Sequence, residues 1–110
     1  MKIFFIALSL SFSMAAFATP ETSCNIQIAN AKGLLNEDNT ADDEEAFLLA
    51  STKALNVCQK SAENHSSLRS SLSHGRKSCD MTADQGLSQF YRGTCYLKAA
   101  DLADFILGMQ

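Results

Sequence analysis

The chain holds little that would stop a helix. Its 110 residues include one proline and five glycines. Pro20 stands near the start, so no proline interrupts Glu21 to Gln110, and proline is the residue that most reliably breaks a helix. Asn-Gly and Asp-Gly pairs, which mark tight hairpins, are missing, and no segment sustains the alternation of a half-buried strand. An antiparallel β fold is thereby excluded. Tryptophan is absent and aromatics make up 8% of the chain, which limits how much a core can bury. Positive charge is not in excess: 9 Lys and Arg stand against 12 Asp and Glu, a net charge of −3. A basic nucleic-acid binder is not expected from that balance. No second long apolar run follows the first twenty residues, so no stable membrane anchor is expected. The four cysteines contain no C-x-x-C pair, which argues against a thioredoxin-type redox site or a zinc knuckle.

What is present begins with an export signal. Met1 and Lys2 form a short positive start, Ile3 to Phe12 is apolar but for Ser9 and Ser11, and Ala16-Phe17-Ala18 offers the small-x-small pattern of a cleavage site. The expectation is a signal peptide over residues 1–18, a short tail over 19–23, and a single helical domain over 24–110. The mature chain then works in the periplasm or outside the cell. Removing the first 18 of 110 residues leaves 92, and losing Lys2 takes the net charge from −3 to −4. A domain of this size buries about 60–65% of its unfolded surface, a marginal core.

The cysteines make up the shortfall. Cys24, Cys58, Cys79 and Cys95, exported, are read as two disulfides. In an antiparallel helix pair, facing residues have their midpoint in the turn. Cys24 and Cys58 centre on Ala41, inside one expected turn; Cys58 and Cys95 centre near Arg76, inside another. The open pairings are 24–58 with 79–95, slightly preferred, or 58–95 with 24–79, and behind them 24–95 with 58–79. A 79–95 bridge needs a bend near Gly86 or Gly93.

The fold class expected is all-α, a small disulfide-stabilised bundle of three or four helices. Ser23 can cap a first helix over about Cys24 to Leu35, with Cys24, Ile28, Ala31 and Leu35 on one face. Asn36 to Asn39 is a polar loop. Thr40 opens a second helix with Asp43 completing a capping-box variant; its inner stripe is Phe47, Leu48, Ser51, Leu55, Cys58 and Ala62. The Ser-rich stretch Glu63 to Ser78 breaks or frays it, and His74-Gly75-Arg76-Lys77 reads as a helix end and turn. Thr82 with Gln85 caps a last helix from about Ala83 to Met109. Its expected inner stripe is Leu87, Phe90, Tyr91, Thr94, Cys95, Lys98, Leu102, Phe105 and Ile106. Gly86, Gly93 and Ala100, seven apart, form a second strip of small residues that lets another helix approach closely, either inside the fold, which is preferred, or from a partner.

Candidate chemistry is thin. Glu37, Asp38, Asp42, Asp43, Glu44 and Glu45 cluster ahead of the second helix. An EF-hand register fails, because its sixth position would be Asp43 and its twelfth Leu49; first-turn carboxylates favoured by the helix dipole explain the cluster. Lys60, Arg69, His74, Arg76 and Lys77 form a basic stretch. The possible partner surface is therefore Asp42, Asp43 and Glu44 with Arg69, His74, Arg76 and Lys77, able to steer a partner of complementary charge. His65 and His74 are the only histidines, and nothing places them with further metal ligands. Asn64-His65-Ser66 fits a glycosylation sequon. No catalytic residue, cofactor or metal is expected.

Tyr91-Arg92-Gly93-Thr94-Cys95, with Asp104 nine residues later, is loosely similar to a Gly-x-Cys helix of small periplasmic immunity proteins that neutralise cell-wall amidase toxins. The likeness covers Tyr91 to Asp104 only, lacks the segment those proteins carry afterwards, and implies no role for any residue. The general plan also resembles small periplasmic acid-protection chaperones in architecture alone. Together these readings point to binding of another protein, as an inhibitor, immunity protein or chaperone, rather than catalysis. A carrier of a small apolar ligand is the alternative, followed by a hydrolase with an unrecognised site.

Overall fold

A computed structural model of the chain describes residues 23–83, 86 and 88–109. Four helices account for most of them: α1 (Cys24–Lys32), α2 (Glu44–Ser61), α3 (Ser66–Ala83) and α4 (Gln89–Gly108). This is a small all-α bundle stapled by two disulfides, Cys24–Cys58 and Cys79–Cys95. The signal peptide and most of the tail, read over residues 1–22, lie outside the described residues.

The turn between α1 and α2 is fixed by one side chain. Asn36 Oδ1 accepts from the backbone N–H of Asp38 and of Thr40 and from the Thr40 hydroxyl, at 3.0, 3.1 and 3.0 Å. Asn39 takes a left-handed conformation, φ 58°, which asparagine tolerates better than most residues. Leu35 and Ala41 close the loop as an isolated bridge. Thr40 is thus occupied in the loop and does not start the helix as expected. Asp43 does: its carboxylate accepts from Ala46 N–H at 3.1 Å. Ser23 holds the N-cap of α1 but makes no side-chain capping bond.

The largest departure from expectation lies between residues 62 and 83. The expected turn at His74–Lys77 is the middle of α3, and the chain reverses earlier, after Ala62. His65 carries the N-cap role there: its Nδ1 accepts from Leu68 N–H at 3.3 Å. Arg69 closes the preceding end by donating to the Glu63 carbonyl at 3.1 Å. The serines that suggested fraying lie mostly on the exposed side of α3, while Leu68, Leu72 and Cys79 bury the other side. Tertiary burial of those three outweighs weak helix propensity. The second reversal falls at Gly86, whose φ of +80° is a conformation glycine adopts at no steric cost. The last helix therefore starts at Gln89, with Ser88 accepting from Tyr91 N–H at 3.4 Å. Thr82 lies within α3 and Gln85 outside the described residues, so the expected capping box does not open this helix.

Packing follows from these reversals. α2 and α4 form the central pair, with α1 against α2 and α3 against α4. α3 runs antiparallel to α4: Cys79 bridges Cys95, Gly75 faces Ala99, and Leu68 and Ile106 line one hollow. α2 and α4 begin together. Glu44, in the first turn of α2, accepts from Phe90 N–H at 3.1 Å, and the Phe47 and Phe90 rings stack at 5.5 Å. The two helices come close at Gly93, which lies directly against the buried Phe47 ring and the Leu48 backbone.

That contact rotates α4 relative to expectation. Its buried face is Gly93, Tyr96, Leu97, Ala100 and Ala103. Of the residues read as its inner stripe, Tyr91, Lys98, Leu102 and Phe105 are exposed. The small residues let the α2 backbone come close, and tight packing at that seam gains more than burying the bulkier stripe would. Gly93 and Ala100 act as expected, within the chain. Gly86 lies in the turn and not on the strip.

Candidate functional site

The charged residues expected to form a partner surface sit on two separate elements, and four of them serve the fold. Asp43 caps α2, Glu44 reaches the start of α4, and Arg69 caps the turn before α3, as described above. Arg76 turns inward. Its guanidinium donates to Asn56 Oδ1 and, at 2.8 Å, to Gln59 Oε1 on α2, and it stacks over the Tyr96 ring at 5.6 Å. Asp42, His74 and Lys77 are exposed.

Arg76 belongs to a polar cluster that joins three helices. Tyr96 is buried, 3% exposed. Its hydroxyl donates to Asp80 on α3 and accepts from Arg92 Nε at 3.1 Å. The Arg92 guanidinium also lies 3.5 Å from Asp80 and 5.5 Å from the centre of the Tyr96 ring. The ring is thus flanked by two cations, an arrangement that favours its negative face. Beside the Cys79–Cys95 bridge, the cluster fixes the side of α4 that α3 covers. Burial, and then the bond to Asp80, raise the Tyr96 phenol above the ordinary tyrosine value of 10.0. A proton held more tightly in the folded state means the group's stabilisation is complete below pH 10.0 and is lost as pH rises through the folded value. Urea midpoints should therefore fall above about pH 10, with part of that slope removed in Tyr96→Phe; an identical slope in the variant would place the loss elsewhere.

His65 sits at the rim of a shallow hollow of about 120 Å³ formed with Ser67, Leu68, Ser71 and Ile106. Its Nδ1 is engaged by the helix cap and lies 3.5 Å from the Ser67 hydroxyl. No group of three or more His, Cys, Asp or Glu side chains is placed to hold a metal among the described residues. No described helix is long and apolar enough to cross a membrane.

The feature that remains is the outer face of α4. Tyr91, Leu102, Phe105 and Met109 are 61%, 57%, 67% and 72% exposed. With Cys95 and Lys98 they recur in alternate steps of four and three residues, the a/d spacing of a helix that pairs with another helix. The Cys79–Cys95 bridge brings α3 alongside at the N-terminal part. From Lys98 to Met109 the seam is open, between the α1 side, where Lys32 pairs with Asp101 at 3.0 Å, and the α3 side, where Ile106 lines the hollow. Single exposed apolar residues are ordinary; aligned ones at helix-pairing spacing are not. The spacing is visible in the sequence, where it is expected on the inner side of the helix. Lys98 in its midst was the signal for the opposite orientation.

No protein-family model, curated protein or solved structure matches the chain. Its function is read from its own residues.

Proposed function

We propose that this is an exported protein, periplasmic or extracellular, that acts by binding another protein, in the manner of an inhibitor, immunity protein or chaperone. The outer face of α4 is where the partner docks. The observation that carries this reading is the exposed seam Leu102–Phe105–Met109. An amphipathic helix laid along it would bury apolar side chains at every turn, the helix-in-groove mode of recognition, and the hollow beside Ile106 would accept a side chain from its edge. The signal-peptide pattern and the two disulfides support the compartment.

The test is a photo-reactive phenylalanine analogue in place of Phe105, in cells that export the protein. Light should give a covalent adduct containing protein at position 105, and none with the same analogue in place of Lys53, which is exposed on α2. Equal yields at the two positions, or none at either, would remove the docking role of α4.

A further inference from the structure

We infer that, when no other protein is bound, the outer face of α4 is covered by a second copy of this chain, its α4 laid antiparallel on the first. The inference rests on the protein-binding reading of that face and names its occupant.

The seam is complementary to itself. With the two helices antiparallel about a point between Ala103 and Asp104, Leu102 of each copy meets Phe105 of the other, and Lys98 meets Met109. Every exposed seam residue from Lys98 to Met109 then has a counterpart, in the alternating register that antiparallel helix pairs require. A parallel pair would instead place Lys98 on Lys98, a like-charge contact in the middle of an apolar seam. Charge favours the antiparallel arrangement for a second reason. The N-terminal end of α4 is served by Ser88 and by Glu44 of α2. Its C-terminal end has no basic residue in the last turn, so the negative end of that helix is uncompensated. Lys98 makes no ion pair among the described residues. In the antiparallel pair it lies beside the last turn of the other copy, where a cation is favoured. On one flank Ala99 faces Gly75 of α3 and Ile106 lines the shallow hollow; on the other, Asp101 is paired with Lys32.

The contact is small. A few large side chains per copy fall well short of the roughly 20–30 residues a side of a standard interface, so the pair is weak, reversible and dependent on concentration.

Sedimentation equilibrium on the oxidised mature protein, from micromolar to millimolar, should show a reversible monomer–dimer equilibrium. Phe105→Glu should leave only monomer. Lys98→Glu should weaken dimerisation by about tenfold or more, since it sets an anion against each helix C-terminus. Both sites are exposed, and circular dichroism with unreduced mass checks that both variants fold. In purified protein, the photo-reactive residue at position 105 should join to residues around Leu102 of the other copy. A wild-type protein that stays monomeric, an adduct joining 105 to 105, or an unchanged or stronger dimer in Lys98→Glu would overturn the inference. If the wild type is monomeric while cellular adducts at 105 contain a different protein, the second copy falls and the docking face stands. If no cellular adduct forms, both fall.

Discussion

Replacing Cys24 and Cys58 together by alanine should lower the free energy of unfolding by about 3–4 kcal/mol, and replacing Cys79 with Cys95 by about 3 kcal/mol. The larger figure follows from the longer separation, 34 residues against 16. Set against roughly 5–15 kcal/mol for a whole domain, either loss is severe, and their combination should leave the chain largely unfolded at physiological temperature. The first bridge has a structural consequence beyond chain entropy. α1 is nine residues long, too short to persist alone in water. It is held by Cys24, Ile28 and Ala31 packing into the core and by the bond to Cys58. Urea unfolding followed by circular dichroism, in each double variant, is the measurement. A loss below about 1 kcal/mol for Cys24 with Cys58 would mean that packing alone secures α1.

Gly93 carries the second large effect. A methyl group there would stand 2.8 Å from Phe47 Cδ2, 2.9 Å from Cε2 and 3.3 Å from the Leu48 Cα. Phe47 is fully buried and stacked on Phe90, so its ring has nowhere to retreat without moving a neighbour. Alanine would ordinarily gain about 1 kcal/mol over glycine inside a helix. Here overpacking, about 1–3 kcal/mol and larger for bigger side chains, should outweigh that gain. Gly93→Ala should therefore destabilise modestly and Gly93→Leu strongly, with α2 and α4 forced apart. Gly86 is the contrast: nothing lies within 4 Å of its missing Cβ, so the cost of Gly86→Ala is backbone strain at φ +80°, about 1 kcal/mol. Equal costs at the two positions would mean that the α2–α4 seam is looser than its distances indicate.

The fold class was legible because the absences were clear. Without proline or hairpin turns the chain reads as helical, and four cysteines behind an export-signal pattern imply staples. The preferred pairing of 24–58 with 79–95 is the one found, although the geometric argument behind it held only in part. The midpoint of Cys24 and Cys58 does fall in a turn, at Ala41. The midpoint of Cys58 and Cys95 falls inside α3, because His74 to Lys77 imitates a helix end in composition while the real reversal is set by the His65 cap. Histidine is an uncommon N-cap, and in the sequence Asn64-His65-Ser66 carries the pattern of a glycosylation sequon rather than of a cap. The orientation of α4 departs further from the sequence pattern. Apolar residues lie on both sides of this helix, so periodicity alone does not choose the inner side. Close approach at Gly93 chooses it, and a strip of small residues states that choice in the sequence more reliably than the bulkier stripe does. The same rotation turned an expected core stripe into the docking face, so the candidate site was visible as a pattern and misplaced as a location.

Intact mass of the exported protein with and without reduction, followed by mapping of the linked peptides, tests the account most directly. The expected mature chain starts at Thr19, is lighter by about four hydrogens before reduction, and yields Cys24 joined to Cys58 and Cys79 joined to Cys95. Those links hold α1 on α2 and α3 on one side of α4, which leaves the seam from Lys98 to Met109 open. Four free thiols on an unprocessed chain would contradict export and stapling together. A Cys58–Cys95 link would put α4 in a different place and close the face on which the proposed binding depends.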